Sequence, residues 1–403
     1  MSTAEAVAAE TRATSVEAFA EVFDRVGEDA AERERERRLP FAEVELLRDA
    51  GFTRVTLPPE LGGGGADEQT LFELLAELAR RDPNLAQLFR SHFSFIDRAL
   101  HAPPSDAREA RLAHLASGAI HGNASFEKGD AKVGGYATRL TADAAGLRLD
   151  GRKFYSTGTL FADLVSVLAF HDGELVSALV PTDAAGVTRL DDWDGFGQRL
   201  TGSGTTVFEG VRVDASDVIE RDGAPSHAGA FVQLVLLAVL AGIGRAVVDD
   251  AVRFVQERTR TYSHASAAPP REDPIVQETV GELSALSFAA DAALAVAVGA
   301  LQASSDAIRA GAPAEEIERR IAEADLAATR AQLVIVPNVL KAATELFEVG
   351  GASALSQKLA LDRHWRNART VASHNPARFK ARVVGDHLLN GTPVLSWWTN
   401  GEA

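Results

Sequence analysis

Residues 57–87 read LPPELGGGGADEQTLFELLAELARRDPNLAQ, and this stretch carries the first clear structural signal in the chain. Two prolines and a run of four glycines end one segment, because both residue types interrupt regular structure. From Gln69 to Ala79 the apolar residues recur every three or four positions, which predicts an amphipathic helix. The run Gly62–Gly65 could cradle a phosphate, but a plain connection between two helices is the better interpretation.

Working outward, the same helical spacing occurs at Glu17–Val26 and Ala42–Ala50, so residues 1–117 are predicted to form a helical domain. The pattern changes near His121. Residues 118–225 contain short alternating segments such as DLVSVLAF and ELVSALVP, which predict a β domain. Two dipeptides, Asp150-Gly151 and Asp172-Gly173, are typical of hairpin turns between such strands.

Residues 226–403 are predicted to be helical again, with long Ala-, Leu- and Val-rich stretches that indicate a helical bundle. These stretches lie at approximately 228–260, 275–310, 314–348 and 378–389. The segment that begins at Gly242, GIGRAV, resembles part of a dinucleotide fingerprint, but it follows no predicted strand, so close helix packing is the better interpretation. The predicted fold class is therefore α+β, mostly α, in the order helices, β domain, helices.

Composition excludes several kinds of function. The net charge of -16 argues against nucleic acid or an anionic membrane as the main partner. The chain has no cysteine, its histidines show no metal-ligand spacing, and no GxSxG motif is present, so neither a metal site nor a hydrolase triad is predicted. The N-terminal residues contain no apolar signal core, and the apolar run Phe231–Ile243 is shorter than a bilayer span, so we expect a cytoplasmic protein.

Four segments, taken in order, resemble the acyl-CoA dehydrogenase superfamily. They are LPPELGGGGADEQTLFELLAELARRDPNLAQ (57–87), LDGRKFYSTG (149–158), WDGFGQRLTGSGTTVFEGVRV (193–213) and LFEVGGASALSQKLALDRHWRNART (346–370). The resemblance covers nearly the whole chain. It implies an N-terminal helical domain, a middle β-barrel and a C-terminal four-helix bundle, which agrees with the order of segments, and it implies a homotetramer.

A dehydrogenase of this family needs a carboxylate to remove the α-proton of its substrate. The family usually places a glutamate six residues after the second of two paired glycines, and here that position is Gln357. The other family location falls near Leu236, where no acidic residue is close. The two replacements favour a different chemistry, although an FAD-dependent acyl-CoA dehydrogenase with a displaced base remains the alternative.

The sequence is similar instead to the flavin monooxygenase branch that includes dibenzothiophene monooxygenase. Gly122–Ser125 match its G-N-A-S stretch, and Arg366 to Pro376 match its R-x-x-R-x-x-x-x-H-(N/D)-P motif, which contains His374. The resemblance implies that FMN, reduced by a separate flavin reductase, reacts with O2 to form a C4a-hydroperoxide. One oxygen atom then enters a small organic substrate at sulfur, nitrogen or aromatic carbon.

The resemblance also implies the site residues. The catalytic candidates are His374 and Thr157, with Ser156 and His92 as further possibilities, because hydroxyl and imidazole groups suit hydrogen bonding and proton transfer near pH 7. Arg260, with Arg258 as the alternative, is implied to hold the flavin phosphate, often across a subunit boundary. The remaining cofactor-binding candidates are Asn123, Ala124, Ser125, Phe126, Lys128, Lys153, Tyr155, Ala352 and Ser353. Aromatic residues that could shape an apolar cavity, or simply fill the core, are Phe93, Phe95, Phe161, Trp193 and Trp397.

Overall fold

The structure, a computed structural model, describes residues 14–128, 136–220, 225–267 and 269–394. The N-terminal part is helical, as predicted. Its helices are α1 (Val16–Gly27), α2 (Ala30–Glu36), α3 (Phe41–Asp49), α4 (Glu68–Arg81), α5 (Pro83–Leu88), α6 (Arg90–His101) and α7 (Asp106–Ala116).

The segment that opened the sequence analysis forms a loop followed by α4. Gly62 and Gly65 have φ angles of 73° and 66°, a region that glycine adopts without strain. Asp67 then caps α4 by accepting a hydrogen bond from the Thr70 N–H at 2.9 Å. The glycine run is therefore a connection into a helix, as predicted.

The middle of the chain forms one eight-stranded sheet, whose strands occur in the spatial order β6-β7-β3-β2-β4-β5-β8, with β1 paired to β4. The strands are β1 (His121–Ala124), β2 (Arg139–Asp143), β3 (Gly146–Lys153), β4 (Leu164–His171), β5 (Glu174–Pro181), β6 (Val187–Arg189), β7 (Thr206–Val213) and β8 (Val218–Ile219). The apolar side chains of this sheet form a core of their own, separate from the helical core. The sheet thus provides an independently packed surface on which a site can be built.

One of the two predicted hairpin turns is correct and the other is wrong. Asp172 and Gly173 have φ angles of 50° and 90° and join β4 to β5. Asp150 and Gly151, by contrast, lie inside β3, where the pairing with β7 shifts between Leu149 and Gly151. Glycine is required there because a Cβ atom at Gly151 would lie 2.3 Å from the Thr138 hydroxyl oxygen. The dipeptide therefore marks a β-bulge.

The C-terminal part is a bundle of long helices followed by two shorter ones. They are α8 (Ala228–Glu257), α9 (Pro274–Arg309), α10 (Ala314–Glu345), α11 (Asp362–Ala372) and α12 (Ala377–Asn390). Gly242 lies in α8 against α4, and a Cβ atom at this position would lie 2.3 Å from the Ala76 carbonyl oxygen. Close helix packing is thus the reason for this glycine, as predicted.

Helices α8 and α9 are each long and apolar enough to cross a membrane, judged by length and composition alone. The most apolar window of α8 is 83% buried inside the protein, so α8 is the central helix of the core. The corresponding window of α9 is only 33% buried. Phe288 and Val296 on α9 are each 74% exposed, so this helix presents an apolar outer face.

A buried glutamate connects the helical parts to the sheet. Glu34 is 3% exposed and accepts hydrogen bonds from Asn367 and Arg366 of α11, at 2.7 and 3.0 Å. The Asn84 amide also reaches Glu34, and its oxygen accepts from the Leu200 N–H at 3.2 Å. Burial raises the pKa of Glu34 although these partners oppose the change. The loop before β7 is therefore held against α5 and α11.

A second buried network lies where α4, α6, α8 and α9 meet. The Asp97 carboxylate contacts the His227 ring at 3.2 Å, and His101 contacts Asp97 through one nitrogen and the Ser305 hydroxyl through the other, at 2.8 Å. Ser305 in turn donates to Glu68. The three ligand-type groups of Asp97, His101 and His227 lie within 4.8 Å of one another, and hydrogen bonds join them.

The predicted division of the chain into domains at residues 1–117, 118–225 and 226–403 stays a prediction. The elements do change type in the same regions, between Ala116 and His121 and again between Ile219 and Ala228.

Candidate active site

The segment that follows β3 carries an exposed aromatic surface. Tyr155 is 46% exposed and has a φ angle of 56°, a conformation that costs free energy for a residue other than glycine. Its ring packs against Phe126, Phe154 and Trp193, with centroid distances of 5.3, 4.7 and 5.8 Å. The fold thus holds a strained tyrosine at the surface within a cluster of rings that are inclined to one another by 50–64°, and this cluster is called the platform below.

Next to this platform lies a chain of hydroxyl groups. Thr157 and Ser203 are joined by a hydrogen bond of 2.7 Å between their oxygens, and a second bond of 2.7 Å joins Ser203 to Thr201. Thr201 donates onward to the Gln198 carbonyl oxygen at 3.0 Å. The Ser156 side chain is 1% exposed, and its hydroxyl has no hydrogen-bond partner among the described residues. Ser156 and Thr157 were predicted, whereas Ser203 and Thr201 lie in a segment recognised only as a motif.

Two predicted flavin-lining side chains point elsewhere. The Lys153 side chain is fully buried, and its ammonium contacts Glu127 at 2.7 Å and the Ser125 carbonyl oxygen at 3.2 Å. It therefore fastens β3 to the segment after β1 and does not line the surface. Ala124 is also fully buried, in the core of the sheet. Both residues stay predictions as cofactor-binding residues, and the structure shows that their side chains are packed beneath the surface.

The other candidates of this segment remain near the platform. Asn123 is half-buried and its amide oxygen accepts a hydrogen bond from Ser125 at 2.7 Å. Phe126 pairs with Phe154 through the backbone, and the Lys128 ammonium lies 4.3 Å from the Phe154 ring centre. Because Lys128 is exposed, its charge is available to a ligand at the edge of the rings.

His374 lies between α11 and α12 in the wall of a cleft. The cleft encloses about 560 Å³ including its open mouth, and Gln233, Asp325, Thr329, Asn375 and Lys380 also line it. The Arg90 guanidinium approaches His374 Nε2 at 3.4 Å and donates to the Val232 carbonyl oxygen at 2.9 Å. The His374 side chain is exposed at the cleft, where crowding by neighbouring atoms and the charge of Arg90 lower the pKa of its imidazole. The imidazole is therefore neutral near pH 7.

His92 does not join this cleft. Its side chain is fully buried, with Nε2 at 2.6 Å from the Thr53 carbonyl oxygen and Nδ1 at 3.2 Å from the His121 N–H. Both ring nitrogens therefore contact the backbone, and the catalytic role of His92 stays a prediction. The same helix contributes Arg90, which the sequence analysis did not single out, because an arginine in the first turn of a helix gives no special signal.

The turn of Thr157 and the cleft of His374 lie on either side of the junction between α5 and α6. A Cβ atom at Gly158 would lie 2.4 Å from the Leu88 carbonyl oxygen, so the hydroxyl segment packs directly on the end of α5. Arg90 begins α6 two residues later. The junction thus connects the hydroxyl chain to the residue that contacts His374.

The remaining candidates lie around the paired glycines. Arg258 donates to the Val349 carbonyl oxygen at 3.1 Å, and Tyr262 donates to the Gly350 carbonyl oxygen at 3.4 Å, so both fasten this turn. A Cβ atom at Gly351 would lie 2.1 Å from the Tyr262 oxygen, which explains the glycine. Arg260 is exposed, as are Ala352 and Ser353. Because Arg258 is occupied by the turn, Arg260 is the arginine available to a phosphate.

Within one chain these two groups of candidates are far apart. The cleft lies at Gln233 near the start of α8, whereas Arg260 and the glycine turn lie beyond Glu257 at its end. The 24 residues between Gln233 and Glu257 span roughly 36 Å at the helical rise of about 1.5 Å per residue. A single FMN molecule cannot contact both groups across that distance.

Comparison with known proteins gives a consistent set of similarities. Models of the acyl-CoA dehydrogenase N-terminal and C-terminal domains match residues 9–119 and 234–379. A dibenzothiophene monooxygenase of Mycolicibacterium goodii is 34% identical over 370 residues, which cover 86% of this chain and 87% of the relative. The probable FMNH2-dependent monooxygenase SfnC of Pseudomonas putida is 27% identical, with 92% and 93% covered. The solved structure of FMN-bound TdsC from Paenibacillus sp. A11-2 has a TM-score of 0.84 at 28% identity, with 95% of this chain and 98% of that chain covered.

Proposed function

The chain belongs to the acyl-CoA dehydrogenase superfamily, in the group that contains dibenzothiophene monooxygenase, and from this premise we propose that it is a monooxygenase that uses reduced FMN and O2 to oxygenate a small organic sulfur compound. A separate flavin reductase supplies the reduced FMN. Sulfur is favoured over nitrogen and aromatic carbon because the dibenzothiophene monooxygenases among the relatives are named for a sulfur heterocycle.

The observation that carries the proposal is the neutral His374 in the cleft, together with the missing base of a dehydrogenase. Gln357 is exposed and is an amide, which takes up no proton near neutral pH, and Leu236 is buried in the core. A neutral imidazole can both accept and donate hydrogen bonds. The cleft thus offers proton exchange through an imidazole where a dehydrogenase needs a carboxylate.

The residues present fit FMN. The buried Ser156 hydroxyl has no protein partner among the described residues, so a ligand atom can satisfy it. Tyr155 and Trp193 can cover a planar ring system, and Thr157 holds a hydroxyl beside it through Ser203. Arg260, with the exposed backbone of the turn at Ala352 and Ser353, suits a phosphate. When bound in reduced form, FMN supplies the electrons that activate O2.

We infer that the site is completed by a neighbouring subunit in a homotetramer. Roughly 36 Å along α8 separate the phosphate-binding group from the cleft, at about 1.5 Å of rise per residue. One chain alone therefore offers only half of an FMN site at each end of α8. The outer face of α9 leaves Phe288 and Val296 exposed at 74% each, and exposed large apolar side chains of this kind are typical of a surface that another subunit covers. A closed assembly would cover this face and bring the two groups together.

A second function has one observation in its favour. Asp325 lines the cleft and is a carboxylate, so it could act as the displaced base of an acyl-CoA dehydrogenase. Asp325 lies beside Lys380: burial lowers the pKa of Lys380 to about 8, and the charge of Asp325 acts in the opposite direction.

The experiment that separates the two functions starts from protein freed of flavin. Under the monooxygenase proposal, added FMNH2 and ¹⁸O2 convert dibenzothiophene or a simple alkyl sulfide into a product with one ¹⁸O atom on sulfur. A panel of amines tests oxygenation at nitrogen in the same assay. Anaerobic bleaching of bound FAD by acyl-CoA substrates, with no oxygenated product, would overturn the proposal in favour of the dehydrogenase.

A further inference from the structure

Arg90 is held in one position beside His374. It is the first residue of α6, directly after Phe89, and its Nε donates to the Val232 carbonyl oxygen of α8 at 2.9 Å. This bond turns the guanidinium toward the cleft, where Nη1 lies 3.4 Å from His374 Nε2. The arginine therefore bridges three elements: the start of α6, the second turn of α8 and the segment before α12.

The chemistry of the contact fixes the state of the imidazole. A guanidinium carries only donors and stays protonated, so the contact requires a lone pair on His374 Nε2. The proton of neutral His374 must then be on Nδ1. The neighbouring Asn375 acts on His374 in the opposite sense to Arg90, since it raises the pKa of the imidazole, and Gln233 orients Asn375 by accepting from its amide at 2.5 Å.

The charged groups around the cleft also affect the protonation of His374. Arg90 faces His374 from α6, Asp325 lines the cleft from α10, and Lys380 lines it from α12. Among the described residues, Arg90 forms a salt bridge with no carboxylate, and burial alone lowers its pKa to about 10, so it remains charged near neutral pH. Asp325 acts on Lys380, which leaves the positive charge of Arg90 to oppose protonation of the imidazole.

We propose that Arg90 is a positioning residue of the reaction: by donating to Nε2 it holds neutral His374 in the tautomer with the proton on Nδ1, so that Nδ1 is the hydrogen-bond donor of this imidazole. The functional part of this inference rests on the proposed monooxygenase activity, whereas its structural part does not. Loss of Arg90 lets the imidazole exchange tautomers and makes its protonation easier, so that Nδ1 is no longer fixed as the donor of a neutral ring.

The test measures His374 directly. Exchange of the histidine Cε1 hydrogen for deuterium, followed by mass spectrometry of the peptide that contains His374, gives its pKa in the full-length protein. Arg90→Met removes the charge and all donors, and we expect the pKa of His374 to rise by about 1 to 2, since a unit charge a few ångströms away contributes about this much near a protein surface. Arg90→Lys keeps the charge and should keep most of the depression. Arg98→Met, on an exposed position of the same helix, is the control and should leave His374 unchanged.

A second measurement follows the consequence for the reaction. In the wild-type protein the ratio of product to FMNH2 consumed should stay level from pH 8 down to pH 5, because His374 stays neutral in this range. In Arg90→Met the fall of this ratio at acid pH should begin about 1 to 2 pH units higher than in the wild-type protein, and Arg90→Lys should largely restore the wild-type profile. An unchanged pKa of His374 in a folded Arg90→Met protein overturns the inference. A wild-type protein that forms no product overturns the proposed function instead, and the exchange data still decide the role of Arg90.

Discussion

The hydroxyl and imidazole groups of this site depend on contacts that their own sequence neighbours do not supply. Thr157 is oriented by Ser203, which lies 46 positions away, and His374 is contacted by Arg90, which lies 284 positions away. Both predicted residues were identified because they stand in extended motifs. Ser203 could have been singled out as the serine of a quoted motif, but Arg90 could not, because its role arises only where α6 meets the cleft.

Lys153 shows the limit of sequence reasoning at this scale. A lysine beside a predicted flavin-lining segment suggests a ligand contact, yet its charge is neutralised by Glu127 beneath the sheet. Burial lowers the pKa of Lys153, and the Glu127 carboxylate acts in the opposite direction. The sequence alone does not show which face of a strand end is buried. A lysine that forms a buried ion pair therefore cannot be distinguished in the sequence from a lysine that binds a ligand.

The first prediction concerns His374. In His374→Ala, we expect product formation to fall about 10²–10⁴-fold, the usual cost of losing an acid–base group. Oxidation of FMNH2 should continue and release hydrogen peroxide, and FMN binding should change little, because the proposed phosphate contacts lie elsewhere. The measurement is the ratio of product formed to FMNH2 consumed. His387→Ala on α12 is the control, and a wild-type ratio in His374→Ala would show that this histidine is only structural.

At the scale of elements, the sequence predicts the role of a residue best where that role depends on the residue's own segment. Gly242 was assigned to helix packing because it lies inside a long apolar segment, and its approach to Ala76 confirms this. The dipeptide Asp150-Gly151 was assigned to a turn because its composition is typical of one, but the register of β3 against β7 places it in a bulge. Register is a property of two strands, so one strand's sequence does not determine it.

The buried Asp97 network connects four helices and gives a prediction about stability. Burial opposes the charged form of His101, but its hydrogen bond and charge interaction with Asp97 prevail and raise the pKa of His101 above 6.5. A raised pKa stabilises the folded state below the unfolded value, and this contribution is lost as the pH rises through the folded value. The network should therefore contribute more to stability at pH 6 than at pH 9.

Asp97→Asn tests this contribution. We expect the free energy of unfolding at pH 6 to fall by about 3–5 kcal/mol, since one partner of a buried ionic group is removed. The difference from wild type should shrink at pH 9, where His101 is neutral in both proteins. Urea unfolding at the two pH values measures the effect, with Asp306→Asn on the exposed end of α9 as the control. A difference that is equal at both pH values would mean that the His101 charge plays no part.

At the scale of the whole molecule, the sequence predicts the fold and the cofactor but does not show how the site is divided. The acyl-CoA dehydrogenase fold and FMN as the cofactor are both confirmed by the relatives and by the solved structure that resembles this chain. The resemblance implied that Arg260 often acts across a subunit boundary, but the sequence did not indicate the distance between Arg260 and the other cofactor-binding candidates. Only the length of α8 reveals that they lie at opposite ends of the chain's central helix, since a motif carries no information about the distance to another motif.

This separation leads to a test that mixes two inactive proteins. If each FMN site takes His374 from one subunit and Arg260 from its neighbour, His374→Ala and Arg260→Ala complement each other when their subunits are exchanged by gentle dissociation and reassembly. In a random equal mixture, half of the sites have an intact His374 and half of those face an intact Arg260, so about a quarter of the wild-type activity should return. The measurement is made at an FMN concentration at which Arg260→Ala alone is inactive. Mixing without subunit exchange is the control and should restore nothing. If the exchanged mixture also stays inactive while light scattering shows that mixed assemblies have formed, both residues serve a site within one chain, and the proposed division of the FMN site between subunits is wrong.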